Sequence, residues 1–63
     1  MKRKEIKNLA EKIARYEHTI QHTDNEKLKQ QAEAEIMKLC GSVDNMEDMV
    51  AIDELVMKIL EKN

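Results

Sequence analysis

What this chain lacks is the first guide to it. It has no proline, tryptophan or phenylalanine, and glycine, cysteine, tyrosine and serine occur once each. With so few turn-forming residues, long regular elements are expected over frequent turns. One cysteine cannot make an intramolecular disulfide, and a lone thiol fits a reducing compartment better than an oxidising one. Because Tyr16 is the only aromatic, the core must be aliphatic and methionine-based, adaptable in shape and weakly specifying. No apolar run approaches the roughly 20 residues needed to span a bilayer. The basic start MKRKEIK leads into NLAEKIARYE, which is periodic and charged, unlike the apolar centre of a signal peptide. A cytoplasmic protein without a membrane partner is expected.

What is present points to helices. Apolar residues make up 41% and charged residues 38% of the 63, a Lys/Glu/Leu/Ala-rich mix typical of packed helices and unlike a disordered tail. A chain of this length, read as one domain over 1–63, buries only about 60% of its unfolded surface. Such domains are usually stapled by disulfides or metal, or they oligomerise. The net charge of −2 hides a gradient. Met1 to His22 carries six Lys or Arg against three acids, Thr23 to Cys40 three against four, and Gly41 to Asn63 two against six. If the two ends lie antiparallel, that gradient favours their pairing; it also makes head-to-tail assembly plausible.

In the first segment Ile6, Leu9, Ile13, Tyr16 and Ile20 are spaced 3, 4, 3, 4, a heptad seam on an α-helix spanning about 2–22. Glu11 and Arg15 lie on the opposite side in the favourable order for an ion pair. HTDNEKL then breaks the seam, and Thr23 with Glu26 has the spacing of a capping box that restarts a helix over about 26–40. The rival reading is one long helix to Cys40 carrying a stutter. In the second segment Leu28, Ala32, Ile36 and Leu39 form the apolar stripe, and Met37 falls on the wet side.

The stretch KLCGSVDNMEDM, Lys38 to Met49, holds the only glycine and cysteine and two of the five methionines. It reads as a stop signal joined to a start signal. Gly41 follows the last periodic residues, where a left-handed C′ residue normally closes a helix. Asp44 stands three before Glu47, and acids crowd the first turn of the next helix, whose dipole favours negative charge. That last helix, about 45–62, carries Met46, Met49, Val50, Ile52, Leu55, Val56, Met57, Ile59 and Leu60 over more than half its circumference. A surface helix needs an apolar stripe only somewhat over 100° wide. Neighbours on two sides, from this chain or a partner, are therefore expected. Asp53 breaks the local rule by projecting among Met46, Met49, Met57 and Leu60. A buried carboxylate without a partner is costly, so Asp53 should find a donor such as Tyr16 or a basic side chain, or else sit at an edge.

Catalysis finds little support. His18 and His22 have a spacing that can bind a metal, but no third ligand is evident and both lie on the charged face. Cys40 sits at a helix C-terminus, where the dipole disfavours a thiolate, with no adjacent base. There is no Gly-rich phosphate loop, and Ser42, the only serine, lies at a helix junction. No catalytic residue, metal ligand or cofactor is assigned, and the chain is read as a non-enzyme.

The run KRKEIKNLAEKIARYE, with the chain's size and composition, resembles the short Lys/Glu/Ile-rich helical proteins encoded by phages and prophages of low-GC Gram-positive bacteria. That resemblance implies a protein that acts by binding a host or phage protein; it carries no diagnostic motif and transfers no functional residue. The expected fold is all-α, a short three-helix bundle or bent helical hairpin, oligomeric, with a homodimer favoured. The expected function is a protein–protein interaction module, a phage-type regulator or inhibitor acting through the apolar face of the last helix. The interface candidates are Met37, Met46, Met49, Ile52, Asp53, Val56, Ile59 and Leu60. One alternative is nucleic-acid binding through Lys2, Arg3, Lys4 and Lys7, against which stand the acidic balance and the lack of an aromatic platform. The other is a purely structural homo-oligomer.

Overall fold

The two breaks in helical periodicity become two changes of chain direction. The computed structural model describes residues 2–62 and contains three α-helices: α1 (Arg3–His22), α2 (Glu26–Gly41) and α3 (Met46–Lys62). No strand occurs among the described residues. The single long helix through residue 40 is excluded, because Thr23 (φ −110°, ψ 146°) and Asn25 (φ −84°, ψ 112°) are extended.

Both restarts use the same device, and it differs from the expected one. The Asn25 Oδ1 accepts hydrogen bonds from the backbone N–H groups of Lys27 (3.0 Å) and Leu28 (3.4 Å). Thr23 instead uses its Oγ1 to accept from the Asn25 N–H at 3.2 Å, shaping the turn. The Thr23–Glu26 capping box is thus replaced by an asparagine cap, which sits directly before the helix and reaches the orphan amides at its start. At α3 the Asn45 Oδ1 accepts from the Glu47 N–H at 2.8 Å. The start expected around Asp44 and Glu47 therefore moves one residue along, to Asn45.

The end of α2 also corrects the sequence reading. No described residue has positive φ, Gly41 included, so Gly41 is the last helical residue and not a left-handed C′. Ser42 closes the helix instead. Its Oγ donates to the Leu39 carbonyl at 2.7 Å and its N–H to the same carbonyl at 3.3 Å, while the Val43 N–H donates to the Cys40 carbonyl at 3.1 Å. These i→i+3 bonds tighten the last turn and satisfy the carbonyls that a left-handed glycine would have served.

Helix α1 is the centre of the fold, packed against both α2 and α3. The Cα envelope measures 34 × 25 × 15 Å. The shortest dimension fits two packed layers, since helix axes lie about 8–10 Å apart and Cα atoms stand about 2.3 Å from each axis. The core cluster consists of Ala10, Ile13, Ala14, Ile52 and Val56, with Ile6, Leu9, Ile36, Leu39, Cys40, Val43, Leu55, Ile59 and Leu60 packed around it. Of the expected α1 seam only Ile13 is buried; Ile6, Leu9, Tyr16 and Ile20 are half-buried. Ala10 and Ala14 are buried beside it, because α1 has neighbours on two sides and its contact arc is wider than one seam. Small side chains at these positions let a facing helix approach closely. On α2, Ala32 is buried but Leu28, the outer end of its stripe, is 45% exposed.

Candidate functional site

Apart from Ala51 and Leu55, the apolar residues of α3 divide into two rows. Met49, Ile52, Val56 and Ile59 follow one another at spacings of 3, 4 and 3. Met46, Val50, Asp53, Met57 and Leu60 follow at 4, 3, 4 and 3. Each row is a heptad seam, and about 100° of rotation per residue places them side by side around the helix. The first faces α1: Ile52 is fully buried, Val56 is buried, and Ile59 packs on the core. The second faces solvent: Met46 is 83%, Met57 63% and Val50 52% exposed. Only Leu60, half-buried, ties that outer row to the core.

This division sorts the candidate interface residues. Ile52 and Val56 lie inside the chain and are withdrawn as interface residues, because α1 presents Ala10, Ile13 and Ala14 to the same core. Met49 and Ile59 are half-buried, Met46 and Asp53 are exposed, and Met37 is exposed on α2. Val50 and Met57, the other two exposed members of the outer row, were not among the candidates. Their signal was the unbroken 4-3-4-3 spacing, which is hidden when the whole apolar arc is read as one face.

Asp53 is exposed, within the outer row and not at the edge of the apolar arc, so its carboxylate stays in water. No hydrogen bond or ion pair joins it to Tyr16 or to a basic side chain among the described residues. It is close enough to Cys40 to act on it electrostatically. Burial pushes the half-buried Cys40 thiol above its ordinary value, and the charges of Asp53 and Glu17 push it further. A thiol held protonated in this way is a poor nucleophile.

A second surface lies where α1 meets the C-terminal half of α3. An open groove there has Ala10, Leu55 and Ile59 among its lining, together with Arg3, Lys7, Lys58 and Lys62 as cations and Glu11 as the one acid. An adjoining concavity shares Glu11 and Ile59 and continues past Ala14 and Arg15 to His18. The α1/α3 packing thus gathers Lys58 and Lys62 beside Arg3 and Lys7, two of the four basic residues singled out in the sequence. Lys2 and Lys4 are exposed but do not line the groove, and Lys2 is the N-cap residue of α1, without a side-chain cap. The Glu11–Arg15 ion pair is not formed; both side chains line the concavity.

The histidines stack on the surface. His18 and His22 are exposed, with ring centroids 4.2 Å apart and planes inclined by 34°. Among the described residues no group of three or more His, Cys, Asp or Glu side chains is placed to hold a metal ion, and no helix is long and apolar enough to cross a membrane. No protein-family model, curated protein or solved structure matches the chain.

Proposed function

We propose that this protein is a non-enzymatic protein–protein interaction module of the cytoplasm, which binds a host protein as a regulator or inhibitor through the outer row of α3. The observation that carries this reading is the exposure of Met46, Val50 and Met57 on one stripe of a helix whose neighbouring row holds the buried Ile52 and Val56. Each such side chain would gain roughly 1.5–3 kcal/mol if fully buried. Methionine suits a docking surface because its flexible thioether adapts to the partner's shape. Helix-in-groove recognition uses anchors at this spacing. The phage-type resemblance of the sequence points to the same class of function.

The test is a position-specific photocrosslink in the cells that make the protein. A photoreactive residue at position 57 should give a discrete adduct with another protein. The same residue at Lys38, exposed on α2, should not. The adduct should disappear in a folded Val50→Glu protein. Equal labelling from positions 57 and 38 would refute the reading.

A second reading rests on the gathering of Arg3, Lys7, Lys58 and Lys62 around one groove. Four clustered cations suit a phosphate backbone as well as a protein carboxylate. Retention on an oligonucleotide that falls linearly in log affinity with log salt would favour nucleic acid. Against it stand the five acids that α3 sets against its two lysines.

A further inference from the structure

The outer row of α3 and the α1/α3 groove are complementary in charge. The outer row has Asp53 within it and Glu47, Glu54 and Glu61 along its flank. The groove has apolar residues between four cations. At about 1.5 Å per residue, Met46 to Leu60 spans about 21 Å; the α1 side of the groove, Arg3 to Glu11, spans about 12 Å, and with the adjoining concavity to His18 the two together span about 22 Å. The first turn of α1 adds a further observation. Its N-terminus carries Lys2, Arg3 and Lys4 against one first-turn acid, Glu5, and lacks a side-chain cap, although a helix N-terminus is stabilised by negative charge. The other two helices begin with an asparagine cap and with acids in the first turn. With three cations against one acid and no side-chain cap, the start of α1 is the one helix start among the three left net positive.

We infer that the outer row of α3 from a second copy of this chain occupies the cationic groove between α1 and α3. This inference rests on the reading of the outer row as a docking surface and names what covers it in the free protein. Symmetric pairing of two outer rows is disfavoured. Asp53 lies midway between Met46 and Leu60, so antiparallel pairing sets it against its own copy, and parallel in-register pairing does the same. Like charges so placed repel. Row-into-groove contact instead sets Asp53 against cations. Such an interface is heterologous, so it closes into a ring or runs on as a chain. It is weakened by salt, and a host protein that takes the outer row must displace the second copy.

The experiment uses two variants altered only at exposed positions, each checked for native helicity. Met46→Ser/Met57→Ser removes the outer row, and Lys7→Glu/Lys58→Glu reverses the groove. By sedimentation equilibrium the wild-type chain should exceed monomer mass at micromolar concentration, and each variant alone should be a monomer. An equimolar mixture should then give a 1:1 dimer and nothing larger, since one intact groove meets one intact row and the remaining surfaces are dead. A wild-type monomer throughout would overturn the inference, as would a wild-type oligomer that either variant leaves intact, or a mixture that fails to dimerise. So would a monomer whose groove retains oligonucleotide, which would give the cations to phosphate. The crosslink from position 57 is read independently, so a monomer that still gives a partner adduct overturns self-association and keeps the docking surface.

Discussion

The two rows of α3 are nearly the same in composition and spacing, yet one is core and the other is surface. Ile52 and Val56 are buried, Ile59 packs half-buried on the core and Met49 is half-buried; Met46, Val50, Asp53 and Met57 face water. Nothing within α3 makes that choice decisively. It is made by α1, whose Ala10 and Ala14 leave room for branched side chains beside Ile13. The outer row differs by carrying Asp53 and by following Asn45, whose cap begins the helix at Met46. A carboxylate in the row is cheap in water and costly against α1, so Asp53 biases the rotation of the helix. The lesson is that a broad apolar arc is two surfaces with different roles, and a single misplaced charge tells them apart.

The comparison breaks most sharply in stability. Ile52→Ala should cost about 2–5 kcal/mol, the range for removing a buried aliphatic side chain and leaving a cavity. Met57→Ala should change stability by no more than about 0.5 kcal/mol, as for a surface substitution. A loss near the upper value is comparable with the whole stability of a small domain. Ile52→Val, expected to cost about 0.5–1.5 kcal/mol, keeps the measurement within range. Urea unfolding at a concentration where the protein is monomeric supplies the numbers. Equal losses at positions 52 and 57 would mean that the rows do not differ as described.

Much of this was legible in the sequence, for physical reasons that also mark where legibility stopped. Three helices, their approximate limits and the exposure of Met37 follow from periodicity and helix-breaking residues, which are local properties. Which end-device operates is not so easily read. Thr23, Asn25, Asp44 and Asn45 are all competent caps, and the dipeptide Asp-Asn before both restarts was the overlooked signal. The burial of Ala10 and Ala14 was missed because alanine contributes little to a hydrophobic pattern, though it governs how closely helices approach. The cationic groove was hidden for another reason. It joins Arg3 and Lys7 to Lys58 and Lys62, some fifty residues away in the chain, and only the packing of α1 on α3 brings them together.

A smaller effect sharpens the account of how α3 begins. Asn45→Ala should cost about 1 kcal/mol, the usual loss for an N-cap, because the Glu47 amide loses its acceptor at 2.8 Å. The loss bears on α3 as a whole and should not favour either row. In the wild type the cap fixes where the helix starts, so hydrogen exchange in the variant should quicken first at the amides from Glu47 onward. If instead Asp44→Ala costs more than Asn45→Ala, the start of α3 is the one expected from Asp44 and the rotation of the rows must be redrawn.

The smallest expected effect has the opposite sign. Gly41 lies at the junction that delivers α3 to α1, and the two accounts of it predict opposite outcomes for Gly41→Ala. A left-handed C′ glycine would resist the change, because a Cβ there is strained. In the structure φ at Gly41 is not positive, and an added Cβ meets nothing within 4 Å. Alanine then removes backbone freedom from the unfolded chain without strain in the folded one, for a gain of up to about 1 kcal/mol. Ser42 holds the end of the helix by its bonds to the Leu39 carbonyl, so the junction keeps its shape. In a domain of this size 1 kcal/mol moves Tm by roughly 4–8 °C, and calorimetry of the monomer will register the sign even if the gain is half of that. A raised Tm places Gly41 inside α2; a lowered one restores the left-handed junction and, with it, a different approach of α3 to the core.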